Sequence, residues 1–147
     1  MADRTQSSTE IAAAPGEVLD VIADFGSYPE WAEQVKECRV VTEDGDGWAD
    51  RVEFVLDAGA IKDRYTLEYE WDVDEDGTGV ISWHLVEADL LKGLTGSYTL
   101  AEVGAGTRVT YDLEVDLTIP MIGMLKRKAE KLIIDAALSE LKKRVEG

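Results

Sequence analysis

The sequence predicts an α+β domain: a curved seven-stranded antiparallel sheet around one long C-terminal helix, with two short helices after the first strand. Three observations predict it. Between residues 36 and 117, apolar residues recur at every second position in six consecutive runs joined by short Gly/Asp turns. That is the pattern of an antiparallel meander with one wet face and one dry face. Beyond Pro120 the apolar period becomes helical and stays so to residue 147. Ahead of the meander, a polar strand candidate leads into two short helical stretches.

The elements follow in order. "RTQSSTEIA" (4–12) reads as a strand that ends before Pro15. "APGEVLDVIADF" places Val18, Leu19, Ile22 and Phe25 at helical spacing. Pro15 suits the first turn of that helix, and Glu17 suits the positive end of its dipole. Gly26 is expected to stop it. "SYPEWAEQV" (27–35) reads as a second short helix with Ser27 as its cap and Trp31 near its end. Next come the strands "VKECRVVTED", "WADRVEFVL", "IKDRYTLEYEWDV", "VISWHLVE", "LTGSYTLAEV" and "RVTYDLEVDL". The turns "GDG", "DAGA", "DEDGTG" and "GAGT" separate them, with "ADLLKG" as a longer connection. In the final helix, Ile122, Leu125, Ala129, Leu132, Ile133 and Ala136 form a stripe, which Ile134, Leu138, Leu141 and Val145 widen. Only the dry face of the sheet is large enough to cover it.

Composition narrows the function classes. At 147 residues the chain is read as a single domain, 1–147. Its net charge of −16 argues against nucleic-acid binding, which needs a basic surface to neutralise phosphates. From Met121 onward seven Lys/Arg face four acids, so that segment is +3 and the remainder −19. The one cysteine, Cys38, excludes an internal disulfide and a multi-thiolate metal site. The one histidine, His84, makes neither a triad nor a metal centre by itself. The acid runs "EDGD" and "DVDEDG" read as solvated turns, and "GAGT" as a hairpin turn with no helix after it to cradle a phosphate. No metal and no cofactor are expected. The polar N-terminus lacks the apolar core of a signal peptide, and no apolar run reaches transmembrane length, so a cytoplasmic location is expected.

Strand parity assigns the two faces. In "DRYTLEYEWDV" (63–73), Tyr65, Leu67, Tyr69 and Trp71 share one side, and Arg64, Glu68 and Glu70 share the other. Extended across the meander, the dry face carries Val52, Phe54, Leu56, Ile81, Trp83, Leu85, Tyr98, Leu100, Val109, Tyr111, Leu113 and Val115. Arg51, Glu53, His84, Arg108, Asp112 and Glu114 fall on the wet face. A core built only for packing favours Leu, Ile and Val. Inward tyrosines instead suggest a cavity, because buried hydroxyls need partners.

This order of elements resembles the START/Bet v 1-like (SRPBCC) superfamily and its helix-grip fold. The residues carrying the resemblance are "IAAAPGEVLDVIADFGSYPEW", "LLKGLTGSYTL", "GAGTRVTYDLEVDL" and "IPMIGMLKRKAEKLI". Within the superfamily the chain looks most like the polyketide cyclase/dehydrase and coenzyme Q-binding START-like branch. The resemblance implies a pocket between sheet and long helix for a hydrophobic small molecule such as a lipid, quinone or polyketide-like compound. Its lining is expected from Phe54, Leu56, Tyr65, Leu67, Tyr69, Trp71, Trp83, Leu85, Tyr98, Tyr111 and Leu113 on the sheet. Met121, Met124, Leu125 and Ile133 would face them from the helix. The basic start of that helix, from Met121 to Lys131, would make at most transient membrane contact.

A cyclase of this family is expected to hold an arginine and a serine in the pocket. Here the inward row offers tyrosines, and Arg51 and Arg64 take the outward parity. That departure favours non-catalytic binding, possible transport included. The alternative is a cyclase or dehydratase with Tyr69, Tyr111, Tyr65 and Tyr98 as proton relays. A third class is an interaction module using the acidic outer face.

Overall fold

The structure is a computed structural model that describes residues 5–57, 62–89, 91–117 and 123–147; at 117, 123–126 and 129 it describes the backbone alone. The strands are β1 (Thr5–Ile11), β2 (Val35–Glu43), β3 (Ala49–Asp57), β4 (Lys62–Val73), β5 (Gly79–Ala88), β6 (Leu91–Val103) and β7 (Gly106–Leu117). The helices are α1 (Pro15–Ala23), α2 (Tyr28–Trp31) and α3 (Gly123–Glu146), with a 3₁₀ turn at Phe25–Ser27. The sheet order is β1-β7-β6-β5-β4-β3-β2, and all six neighbouring pairs are antiparallel. Six strands thus follow as a meander, and β1 closes onto β7. The curved sheet grips α3, which packs on β1 and β7 and also touches α1 and α2.

Local chemistry explains most boundaries. Pro15 opens α1, Glu17 lies in its first turn, and Pro15, Val18, Leu19 and Ile22 form its buried line. The β4–β5 turn is fixed by Gly77, whose φ of 93° excludes most side chains. A Cβ there would also overlap the backbone of Pro15 and Gly16. The turn therefore packs directly against the start of α1.

Four expectations from the sequence change. The first helix ends at Ala23, before Gly26, so Phe25 belongs to the 3₁₀ turn and not to α1. The second helix stops at Trp31, and Ser27 makes no side-chain cap. Ala32 is extended (φ −94°, ψ 94°), and by Val35 the chain is already paired with β3; sheet pairing outcompetes the helix. The expected "ADLLKG" connection is shorter, because Leu91 and Gly93 already pair with β7. Asp63, 5% exposed, fixes that corner by accepting the Asp89 and Leu91 backbone N–H groups at 3.0 and 2.9 Å.

The fourth change is the roll of α3. Leu132, placed in the buried stripe, is 65% exposed. The buried line is Glu130, Ile134, Leu138 and Leu141. Glu130 sets this rotation. Its carboxylate is 1% exposed and accepts hydrogen bonds from the Thr5 hydroxyl and the Val115 backbone N–H, both at 2.7 Å. A carboxylate buried with two donors orients a helix in a way an apolar stripe does not.

Candidate functional site

The site is built on the inner face of β3–β7, where the register aligns the parity rows. Phe54 lies opposite Tyr65, Leu67 opposite Leu85, Tyr69 opposite Trp83, and Tyr98 opposite Tyr111. Phe54, Tyr65, Leu67, Tyr69, Trp83, Tyr98, Tyr111 and Leu113 are buried, while Leu56, Trp71 and Leu85 are half-buried against the same core. Ile133 packs half-buried from α3. Met121 lies outside the described residues, as do the side chains of Met124 and Leu125. Arg127 and Lys128 on the first turns of α3 are exposed.

The aromatic rings form one continuous wall. Phe54 stacks on Tyr65 with centroids 5.4 Å apart. Tyr69 meets Trp83 at 5.5 Å, Trp83 meets Tyr98 at 5.2 Å, and Tyr98 meets Tyr111 edge-on at 4.8 Å. Trp83 is centred by an absence. Gly96 faces it across the strand pair, and a Cβ on Gly96 would come within 2.6 Å of the indole. The indole lies in the space that a side chain would fill.

Two residues that the sequence did not assign to the site complete the wall. Phe25, 2% exposed, is its hub, with centroids 4.9 Å from Tyr69, 5.1 Å from Tyr28 and 6.3 Å from Phe54. Tyr28 packs between Phe25 and Trp31 and donates its hydroxyl to the Ile22 carbonyl. Helical spacing assigns Phe25 to the buried line of α1 and not to the wall, and Tyr28 lies in a helix too short to show a period. The signal available was the aromatic density of "FGSYPEW" itself. Trp71 is held at the outer end of the wall, stacked on Trp48 at 4.8 Å and donating to the Ala49 carbonyl at 2.7 Å.

Electrostatically the wall is neutral. Burial is the leading cause that pushes all five tyrosines up from their ordinary value near 10. Neighbouring phenols push Tyr28, Tyr65, Tyr69 and Tyr98 in the same direction. Cys38 pairs with Phe54 across β2 and β3, and burial raises its thiol to about 12. It is a protonated part of the wall and not a nucleophile. Tyr28 has an internal acceptor, but the hydroxyls of Tyr65, Tyr69, Tyr98 and Tyr111 have no hydrogen-bond partner among the described residues. The face therefore presents neutral phenol donors on an aromatic surface.

Apart from Asp63, buried at the inward end of β4, the charged groups of these strands lie on the other face, as parity expects. Arg51 meets Glu68 at 3.2 Å, and His84 meets the same carboxylate at 3.8 Å. Among the described residues, no His, Cys, Asp and Glu side chains gather as a metal site, and no helix is long and apolar enough to cross a membrane.

A separate open groove of about 940 Å³ lies outside the wall. Pro29, Glu30 and Trp31 of α2, Glu33 and Lys36 line one side, and Glu140, Lys143, Arg144 and Gly147 line the other.

Comparison with known proteins agrees with this architecture. A START superfamily protein from Mycobacterium smegmatis superposes with a TM-score of 0.89 at 19% identity, over 97% of each chain. A protein from Thermus thermophilus gives 0.79 at 27% identity, again over 97% of each chain. The Zhui aromatase/cyclase from Streptomyces sp. R1128 gives 0.74 at 17% identity, over 99% of this chain and 94% of its own. No curated protein matches the sequence. The sequence profile of one family, described as polyketide cyclase / dehydrase and lipid transport, matches residues 2–146. With that match over nearly its whole length, the chain belongs to the polyketide cyclase/dehydrase and lipid transport family.

Proposed function

We propose that the protein binds an uncharged hydrophobic small molecule, such as a lipid, quinone or polyketide-like compound, against its inner aromatic wall. One observation carries the reading: Tyr65, Tyr69, Tyr98 and Tyr111 are buried, held neutral, and without hydrogen-bond partners among the described residues. Apolar surface supplies affinity at roughly 25 cal/mol per Å² buried. Neutral phenols then orient the ligand by donating to its oxygens. A ligand carboxylate or ammonium would meet no opposite charge among Phe54, Tyr65, Leu67, Tyr69 and Trp83, so the wall favours uncharged ligands.

The same observation weighs against the enzyme reading, in which these tyrosines relay protons for cyclisation or dehydration. Burial raises every one of these phenols further above pH 7, so none is poised as a base there. Carriage without chemistry is the simpler role.

Native mass spectrometry of the purified protein, with extraction of bound compounds, tests the proposal. So does quenching of Trp83 fluorescence by a panel of lipids and quinones. A chain that is always empty and never quenched refutes it. Turnover of a poly-β-ketone that is lost in a Tyr69→Phe, Tyr111→Phe double variant would replace binding with catalysis.

A further inference from the structure

We infer that α2 is a gate between the outer groove and the inner aromatic wall, with Trp31 as its latch. The inference rests on the binding reading for what passes the gate. Four observations meet at this point. Trp31 is half-buried, and its indole Nε1 is out of reach of solvent yet has no hydrogen-bond partner among the described residues. A buried N–H left unmade is costly, so the closed position is not the most comfortable one for this side chain. Outside it lies the groove of about 940 Å³, ample room for a displaced indole. Behind it Tyr28 stands 4.9 Å away, and Tyr28 leads at 6.1 Å to Phe54, which stacks on Tyr65.

The fourth observation is how weakly the gate is held. α2 is a single four-residue turn without a side-chain cap. It is tied to α3 through the Arg144–Glu30 pair at 3.2 Å, in which the side chains are 36% and 62% exposed. The Glu33 N–H donates to Glu140 just after the helix, at 2.9 Å, also in an exposed setting. Exposed contacts of this kind are worth little. Elements that move to admit ligands come from such low-stability regions. Swinging Trp31 into the groove would hydrate its indole N–H and uncover Tyr28. Tyr28 keeps its hydroxyl on the Ile22 carbonyl, so it is a pivot and Trp31 is the part that swings.

The test combines a kinetic and a spectroscopic reading on the full chain. The probe is N-phenyl-1-naphthylamine, which is uncharged and fluoresces in apolar sites. In Trp31→Ala, association and dissociation should both quicken about tenfold with little change in affinity, because a latch governs the barrier and not the bound state. Leu132→Ala, on the exposed side of α3, should change neither rate. In the ¹⁵N-labelled wild type, the Trp31 indole N–H should show microsecond-to-millisecond exchange by relaxation dispersion. If the probe binds and Trp31→Ala leaves both rates unchanged, the gate is overturned. If the wild type takes up no probe, the dispersion decides. Exchange at Trp31 then keeps the gate while the binding reading falls, and a flat profile overturns both.

Discussion

The two faces of the same strands are built on opposite rules. On β4, the inward Tyr65, Leu67 and Tyr69 are buried among rings, while the outward Arg64 and Glu70 are exposed. Outward charges meet across strands, as Arg39 with Glu53, Arg51 with Glu68 and Arg108 with Glu10. Apart from Asp63, which accepts the Asp89 and Leu91 N–H groups at the end of β4, the inward titratable groups of the sheet are phenols and one thiol kept neutral by burial. The lesson concerns energy as much as placement. Desolvation governs the inner face, and water-screened Coulomb attraction governs the outer one. Their responses to pH, truncation and salt should therefore diverge.

Alkaline pH should separate them most. All five tyrosines have folded pKa values raised above the ordinary 10. Between the unfolded and folded values, the unfolded chain has lost the proton and the folded one keeps it. Stability is therefore complete below pH 10 and falls as pH rises beyond it. Each tyrosine removes about 1 kcal/mol between pH 10 and 11, as the unfolded phenol goes from half to mostly ionised, so five together remove about 5, comparable to a small domain's stability. Cys38, raised to about 12, begins the decline earlier. Denaturant titrations at several pH values should show this slope, and tyrosinate absorbance should appear only as the chain unfolds. Tyrosines that ionise in the still-folded protein would mean the inner face is wet.

Next in size is the centre of the wall. Trp83 is 6% exposed and touches Tyr69, Tyr98 and Tyr111 while lying over Gly96. Trp83→Ala should cost about 3–5 kcal/mol in chemical unfolding, through lost burial and the cavity left behind. A loss under about 1 kcal/mol would show that the surrounding rings collapse into the gap, which the comparison of faces does not allow.

The same contrast explains what could be read from the sequence. Alternation over 63–73 gave the inner row correctly because a one-residue slip would expose Tyr65, Leu67, Tyr69 and Trp71 together. His84 was legible for the same reason, and its imidazole is half-exposed beside Glu68. Parity has no such grip on α3. Its apolar residues span several stripes, so the sequence chose one containing Leu132. The structure turns the helix to bury Glu130, whose carboxylate caps the Val115 N–H. Phe25 and Tyr28 escaped for different reasons. Phe25 fits the helical period of α1 and reads as part of that helix, although it lies in the 3₁₀ turn beyond it, and Tyr28 lies in a four-residue helix too short for any period to show. The wall was visible where strands repeat, and its hub was hidden where the helical period runs on past the helix.

The smallest effect should come from the outer face, and it sharpens the comparison by being small. Glu68 holds both Arg51 and His84, so Glu68→Gln weakens two contacts at once. The Glu68 side chain is 30% exposed, and those of Arg51 and His84 are 46% and 50% exposed. Water already reaches all three side chains, and the expected loss in chemical unfolding is below about 1 kcal/mol. In 1 M salt, where the screening length falls to about 3 Å, the wild type and Glu68→Gln should become indistinguishable. A loss that matched the Trp83→Ala cost and persisted in salt would mean this row is shielded from solvent by something bound over it. The outer face would then be a second buried surface, and charge alone would no longer tell the two faces apart.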